Sequence, residues 1–352
     1  MKPGCRRLGT LAAFAALLAT TISAGPTAAT VSPVTMDITI GYDCVEGDKG
    51  FLPSVTLTLK HADGSVIDTG NDSNPSPNFA VCFSHQVHIG DKVLADWGGG
   101  HRQVTIPDLT IGADRITDVV SGHGPAGANL VIAYAPCSLS GCGGYQLSHR
   151  TVDRHGRYAK DLSSDIDFKG ADRLEARYND PQGDAIRTDA HVAYLQLSKP
   201  NDVHIECQPA RAVNVTLRTS KGSLRATRTF PKGSACGTPD GTFRAHGAAV
   251  DFAVGNIIRS DLASDAKIVW PHVGVSATDG SPGLKVRCLP SSPIGVDVSW
   301  APNNHFGYYA TTGSDGRLDV LNSGHTFHSG DQLALTCSTL KGDRIAFTSS
   351  VP

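Results

Sequence analysis

Four times along the chain a Gly-Asp-like turn opens an alternating strand, and this recurrence constrains the fold more than any other feature. The copies are GDKVLA from Gly90, GADRLEA from Gly170, GNIIRS from Gly255 and GDQLAL from Gly330, at steps of 80, 85 and 75 residues. A large apolar residue opens a strand upstream of each turn at nearly constant distance. Phe79 lies 11 residues before Gly90, and Tyr158, Phe243 and Leu318 each lie 12 before their glycine. In three copies that strand follows Asp153 with Gly156, Asp240 with Gly241, or Asp315 with Gly316, residues that tolerate the positive φ of a hairpin turn. Self-similarity at such a period marks repeated supersecondary units.

Each copy carries a further strand upstream: VTLTL from Val55, NLVIAY from Asn129, VNVTL from Val213 and VDVSW from Val296. Each closes on another: RQVTIP from Arg102, DAIRT from Asp184, AKIVWP from Ala266 and DRIAF from Asp343. β-branched residues at period two bury one face, and turn signals at this density are the signature of a β-sandwich. Pro107 and Pro271 stand where the closing strands of copies one and three must stop donating hydrogen bonds. The expectation is an all-β chain of tandem sandwiches with boundaries near residues 113, 200 and 284, giving domains 30–113, 114–200, 201–284 and 285–352. Each is expected to fold by itself, with Phe79, Tyr158, Phe243 or Leu318 pointing into its own core and little interface between neighbours.

Composition agrees. Gly 38 and Pro 20 against Met 2 and 18% charged residues mean many turns and few long amphipathic helices. With 31 basic and 33 acidic residues, the net charge of −2 leaves no electrostatic footprint for nucleic acid or an anionic membrane.

Residues 1–29 read as a secretory signal, with Lys2, Arg6 and Arg7 ahead of an apolar run from Leu8 to Leu18 and cleavage after Ala24 or Ala29. The run is too short to span a bilayer, which takes about 20 apolar residues. Residues around Arg6 and Arg7 fit a twin-arginine signal poorly, and Cys5 precedes the run, so it cannot be a lipidation cysteine. The sequence therefore predicts a secreted protein without a membrane span, released or retained non-covalently at the cell envelope.

In copy two, GPAGANLVIAY, DRHGRYAKDL, a Gly-Asp turn and YNDPQGDAIRT follow in order. This pattern resembles the bacterial immunoglobulin-like (Big-type) repeats of secreted and surface proteins; copies one, three and four share its skeleton. The resemblance implies immunoglobulin-like sandwiches and is nearly silent on function, since such repeats serve as stalks, spacers, adhesins and modules added to enzymes.

Eight cysteines follow the signal, two per copy: Cys44 and Cys82, Cys137 and Cys142, Cys207 and Cys236, Cys288 and Cys337. An even count in an exported chain favours disulfides, and no CxxC pair supports a metal site. One bridge per copy is the simplest reading. Loops of 30 to 50 residues gain roughly 3 to 4 kcal/mol from closure, the short Cys137–Cys142 span less.

Candidate chemistry is sparse. His61, His85, His88 and His101 in copy one, and His305, His325 and His328 in copy four, are the residues a copper or zinc site would use, but period two sets His85 and His88 on opposite strand faces. Asp165, Asp167, Asp172, Asp180, Asp184 and Asp189 would suit calcium, yet aspartate is also the favoured turn residue. Ser264 with Lys267 and Ser338 with Lys341 match SxxK without its partner motifs, and GxSxG, HExxH and phosphate loops are absent from the sequence. SGHGPAG is a turn with no helix after it. We therefore expect a non-enzymatic binding or spacer protein without catalytic, metal or cofactor residues, serving an extracellular protein or glycan ligand. The competing reading is a secreted hydrolase or metal-handling protein using the histidines of domains 1 and 4.

Overall fold

A computed structural model describes residues 34–198, 200–207, 212–231, 241–262, 267–300 and 304–352. The expected signal segment lies outside them, as do Cys236, Asp240, Ser264 and Ala266. The described residues form strands and turns with no α-helix. Copy one packs a four-stranded sheet, ordered Val66–Asp72, Val55–Lys60, Lys92–Asp96, His101–Thr105, against the strands Thr35–Thr39, Cys44–Asp48 and Asn78–Cys82. Alternation does what period two requires: Val55, Leu57 and Leu59 are buried, and Thr56, Thr58 and Lys60 are half-exposed. Copies two, three and four are likewise β-sandwiches of two main sheets, with a further two-stranded ribbon in copies two and three.

The sandwiches are fused in pairs. Thr35–Thr39 lies parallel to Ala185–His191, with Asp37 opposite Ala185, merging sheets of copies one and two into one of seven strands. Tyr194–Ser198, which a boundary near residue 200 assigns to copy two, instead pairs with Asp202–Glu206 and lies parallel to Arg344–Ser350, with Gln196 opposite Arg344, so it opens copy three and merges the sheets of copies three and four. The core divides accordingly into one cluster from Val34 to Val192 and another from Ala193 to Val351. The small interface expected between neighbours is therefore replaced, within each pair, by a shared sheet and core. The physical reason is edge protection: a lone sandwich leaves its first and last strands with unpaired backbone groups, and pairing them across copies satisfies both. Phe79, Tyr158 and Phe243 are buried in these cores, while Leu318 is half-buried and packs against its own.

One turn is built alike in all four copies. Gly90, Gly255 and Gly330 have φ of +88°, +83° and +93°. The next side chain, Asp91, Asn256 or Asp331, accepts the N–H of His88, Ala253 or His328 at 2.9, 3.0 and 2.9 Å. In copy two the carboxylate is Asp172, which accepts the Lys169 N–H at 2.8 Å, and the left-handed residue is Ala171, at φ +70°. Aligning copy two on Gly170 thus places its turn one residue early. Gly170 serves a different need, since a Cβ there would collide with Tyr194 and with the backbone of Gly342.

That close approach belongs to a seam between the two pairs. Gly170 N–H donates to the Lys341 carbonyl at 2.9 Å. Arg115 donates to Asp343 Oδ1 at 2.9 Å, to the Ala193 carbonyl at 3.1 Å and to the Lys341 carbonyl at 2.6 Å. The Arg115 and Asp343 side chains are each only 2% exposed. The first pair contains an equivalent: Arg102 donates to the Gln182 carbonyl at 3.1 Å and meets Asp180 at 3.2 Å and Asp184 at 2.6 Å. Asp184 and Asp343 are matched in a second way, accepting the backbone N–H of Met36 at 2.8 Å and of Leu195 at 2.9 Å. One turn thus receives its guanidinium from within the pair, the other from the neighbouring pair.

Candidate functional site

Among the described residues the structure brings His61 and His88 to the two oxygens of one carboxylate, Asp91, and separates the other candidate histidines. The strand Asn78–Cys82 ends before His85, so His85 and His88 lie in the connection to Lys92–Asp96 and not on opposite faces of a strand. Past its end Phe83 and Val87 donate their backbone N–H groups to the carbonyls of Asp43 and Tyr42. His85 contacts the Ser84 hydroxyl at 3.0 Å, His61 and His88 each stand 3.8 Å from Asp91, and His101 begins a separate strand. In copy four His325 meets Asp331 at 3.1 Å and stacks on Trp300 at 4.3 Å, His328 stands 3.8 Å from Asp279, and His305 is exposed on the strand Asn304–Thr311. Burial would raise the Asp331 carboxyl, but the His328 N–H and the His325 ring outweigh it and hold it below the ordinary range. Among the described residues no three His, Cys, Asp or Glu side chains converge as a metal site.

Disulfides join Cys44 to Cys82 and Cys137 to Cys142, each across directly opposed strand residues, and Cys288 to Cys337 between the two sheets of copy four. Cys207 is buried; its expected partner Cys236 lies outside the described residues. Ser338 donates its hydroxyl to the Thr339 carbonyl at 3.1 Å, and the Lys341 ammonium pairs with Asp167 at 3.0 Å. Ser264, of the other, lies outside the described residues.

Of the six aspartates, all but Asp165 are held by a partner among the described residues. Asp184 binds Arg102, Asp180 caps its own turn, Asp189 binds Arg173 at 3.0 Å, Asp165 is exposed, and Asp172 is wholly buried. Asp172 accepts the Tyr134 hydroxyl at 3.0 Å and the Cys137 N–H at 2.8 Å. Burial first, then the Asp172 charge, pushes the Tyr134 phenol far above its ordinary value; burial alone does so for Tyr158, whose hydroxyl donates to the Thr110 carbonyl at 2.8 Å. Below the ordinary phenol value both folded and unfolded chains keep these protons. Above it only the folded chain does, so stability is expected to fall as pH rises past 10. A spectrophotometric tyrosine titration should show two phenols that ionise only on unfolding; full ionisation in the folded state would refute this.

The two seven-stranded sheets present very different outward faces. That of the first pair is laced with charge: Arg187 pairs with Asp37, Arg173 with Asp189, and Tyr42 donates to Asp189 at 3.2 Å, beside Glu175 and Arg177. That of the second pair is nearly neutral over the strands Asn304–Thr311, Pro293–Trp300 and Gln332–Ser338, while Arg344, Asp202 and Glu206 stand on strands further across the same face. Register sets Tyr309, Gly295, Thr336, Ala346 and Ser198 in one row across five strands, and Gly307, Asp297, Ala334 and Thr348 in the next. A third row holds His305, Ser299, Gln332 and Ser350. Buried Val296, Val298, Leu333 and Leu335 alternate with these residues, which fixes their outward direction.

Tyr309 is 50% exposed. Its ring lies over the two glycines, 3.2 Å from where a Cβ on Gly295 would stand and 3.4 Å from one on Gly307. Leu139, at the tip of the Cys137–Cys142 hairpin of copy two, closes the same edge at 3.8 Å from that point on Gly295. Sequence reasoning missed this surface. The available signal was a glycine inside each of two adjacent strands, which marks a close approach of something to the backbone.

No family model and no curated protein matches the chain. Solved structures similar to it include the tetra-tandem repeat in the extending region of a large adhesion protein, at 14% identity over 91% of this chain and 99% of that one, with a TM-score of 0.19. Another is the BSP domain of a biofilm-associated protein, at 9% identity, 90% and 95% coverage and a TM-score of 0.19. A third is trypsin-activated alpha-2-macroglobulin from Escherichia coli, at 12% identity, 91% and 30% coverage and a TM-score of 0.18. At such values these likenesses carry no argument about what this chain does. Among the described residues no helix is long and apolar enough to cross a membrane.

Proposed function

We propose that this chain is an exported, non-enzymatic binding and spacing protein of immunoglobulin-like sandwiches, released from the cell or retained at its envelope. The observation that carries the reading is the desolvated Arg115–Asp343 seam between two fused pairs. A joint of this kind holds one pair at a set orientation to the other, as a module that presents a surface away from its attachment point requires. The three disulfides support an oxidising compartment. We further propose pairs 34–192 and 193–351 as the folding modules, each containing two of the four sequence repeats.

With its own leader the protein is expected in the culture medium or in a high-salt wash of intact cells; recovery in the cytosol with reduced cysteines would overturn export. Small-angle scattering should give the same radius of gyration at 50 and 500 mM salt, because a buried ion pair is screened little. Expansion with salt would show that the pairs move independently and that no fixed presentation exists.

A further inference from the structure

We infer that the outward face of the second seven-stranded sheet is a binding surface for neutral carbohydrate, taking a few linked pyranose rings with one stacked on Tyr309. This rests on the binding-protein reading above and names its ligand class. Three features of the face fit that chemistry. The Tyr309 ring is laid flat by the glycine floor of Gly295 and Gly307 and half of its surface is open, so a sugar ring can set its C–H face on the aromatic face. Around it stand Asp297, Ser299, Gln332 and Thr336, neighbours in the register of adjacent strands, which offer hydroxyl, amide and carboxylate groups to sugar hydroxyls. The row from Tyr309 to Ser198 crosses five strands, or about 19 Å at the usual strand spacing, which is room for an oligosaccharide and not for a single small molecule.

Charge decides between ligand classes. On the strands Asn304–Thr311, Pro293–Trp300 and Gln332–Ser338 the rows of this face carry one formal charge, Asp297; Asp202 follows Ser198 at the far end of the Tyr309 row, and the cation of the face, Arg344, is held by the Tyr194 ring at 4.6 Å and hydroxyl at 3.3 Å. A sulfated or sialylated glycan finds no positive group among Asp297, Ser299, Gln332 and Thr336 around Tyr309. A protein partner would lack the deep pockets that hot-spot anchors fill, since the floor is glycine, alanine, threonine and serine. The homologous face of the first pair, occupied by its own ion pairs, is unsuited to either and provides an internal control.

The test uses the full-length exported protein on an array of neutral and acidic oligosaccharides, followed by calorimetry on the best neutral hit. Retention of neutral glycans is expected, with affinity falling at least tenfold in Tyr309→Ala and in Asp297→Ala, largely restored in Tyr309→Trp, and unchanged in Arg177→Ala on the other face. Thermal midpoints within a degree or two of the parent establish that the exposed substitutions leave the fold intact. The proposal is overturned if no neutral glycan is retained, if acidic glycans are preferred, or if Tyr309→Ala binds as the parent does. Saturable attachment to cell surfaces that survives glycan removal but not protease treatment would overturn the carbohydrate assignment while leaving the binding-protein reading standing.

Discussion

Arg115→Ala is expected to separate the two pairs mechanically and thermodynamically. The substitution leaves the Asp343 carboxylate in a site where its side chain is 2% exposed, with the Leu195 N–H as remaining partner. Breaking a buried pair from one side typically costs about 3 to 5 kcal/mol, because the surviving charge is stranded. The cost should fall on the seam and on copies three and four, since Asp343 belongs to the second pair. Calorimetry should resolve two transitions, the one for residues 193–351 lowered, and scattering should report a larger radius of gyration. Arg102→Ala is the matched comparison: it strands Asp184 inside the first pair, so residues 34–192 should be lowered with the inter-pair geometry unchanged. If Arg115→Ala left both the transitions and the radius unaltered, the seam would not be what couples the pairs.

Phe243→Ala should unfold copies three and four together. Phe243 is wholly buried, stacks edge-on to Phe252 at 6.0 Å, and belongs to a cluster that also contains Val296, Leu335 and Ile345 of copy four. Truncating a buried phenylalanine costs about 3 to 5 kcal/mol, a large part of the roughly 5 to 15 kcal/mol of a folding unit. Because the two copies share a sheet as well as a core, hydrogen exchange is expected to show protection lost across 193–351 as one block, with 34–192 unaffected. Loss confined to copy three would show that the copies unfold separately despite the parallel strand pairing.

How much of this was legible beforehand follows from how local each signal is. Strands such as Val55–Lys60 and Val213–Arg218 announce themselves because period two, β-branching and flanking turn residues all fall within a few positions. The recurring turn and the pairs Cys44–Cys82, Cys137–Cys142 and Cys288–Cys337 were readable for the same reason, being short patterns repeated. The parallel pairing of Thr35–Thr39 with Ala185–His191 was not, because two edge strands some 150 residues apart carry no mark of each other. Arg102 and Arg115 looked like ordinary polar residues of a closing strand and a linker; only the folded positions of Asp184 and Asp343 give them a common role. The Ala171 turn was misplaced by one residue because glycine is the usual left-handed residue, and Gly170 beside it was kept for clearance from Gly342 instead. The Tyr309 surface depended on register among five strands, which no single segment encodes.

The parallel strands that fuse each pair also determine how it would bear tension. The chain enters a pair at the start of Thr35–Thr39 and leaves at the end of Ala185–His191, and these neighbours run in the same direction. A pull on the two ends therefore drags the strands past one another along their length, and the evenly spaced hydrogen bonds of a parallel ladder take the load together instead of opening one after another from an end. Tyr194–Ser198 and Arg344–Ser350 repeat the arrangement in the second pair, so a tether built of such pairs meets shear, the more resistant loading geometry, at every unit.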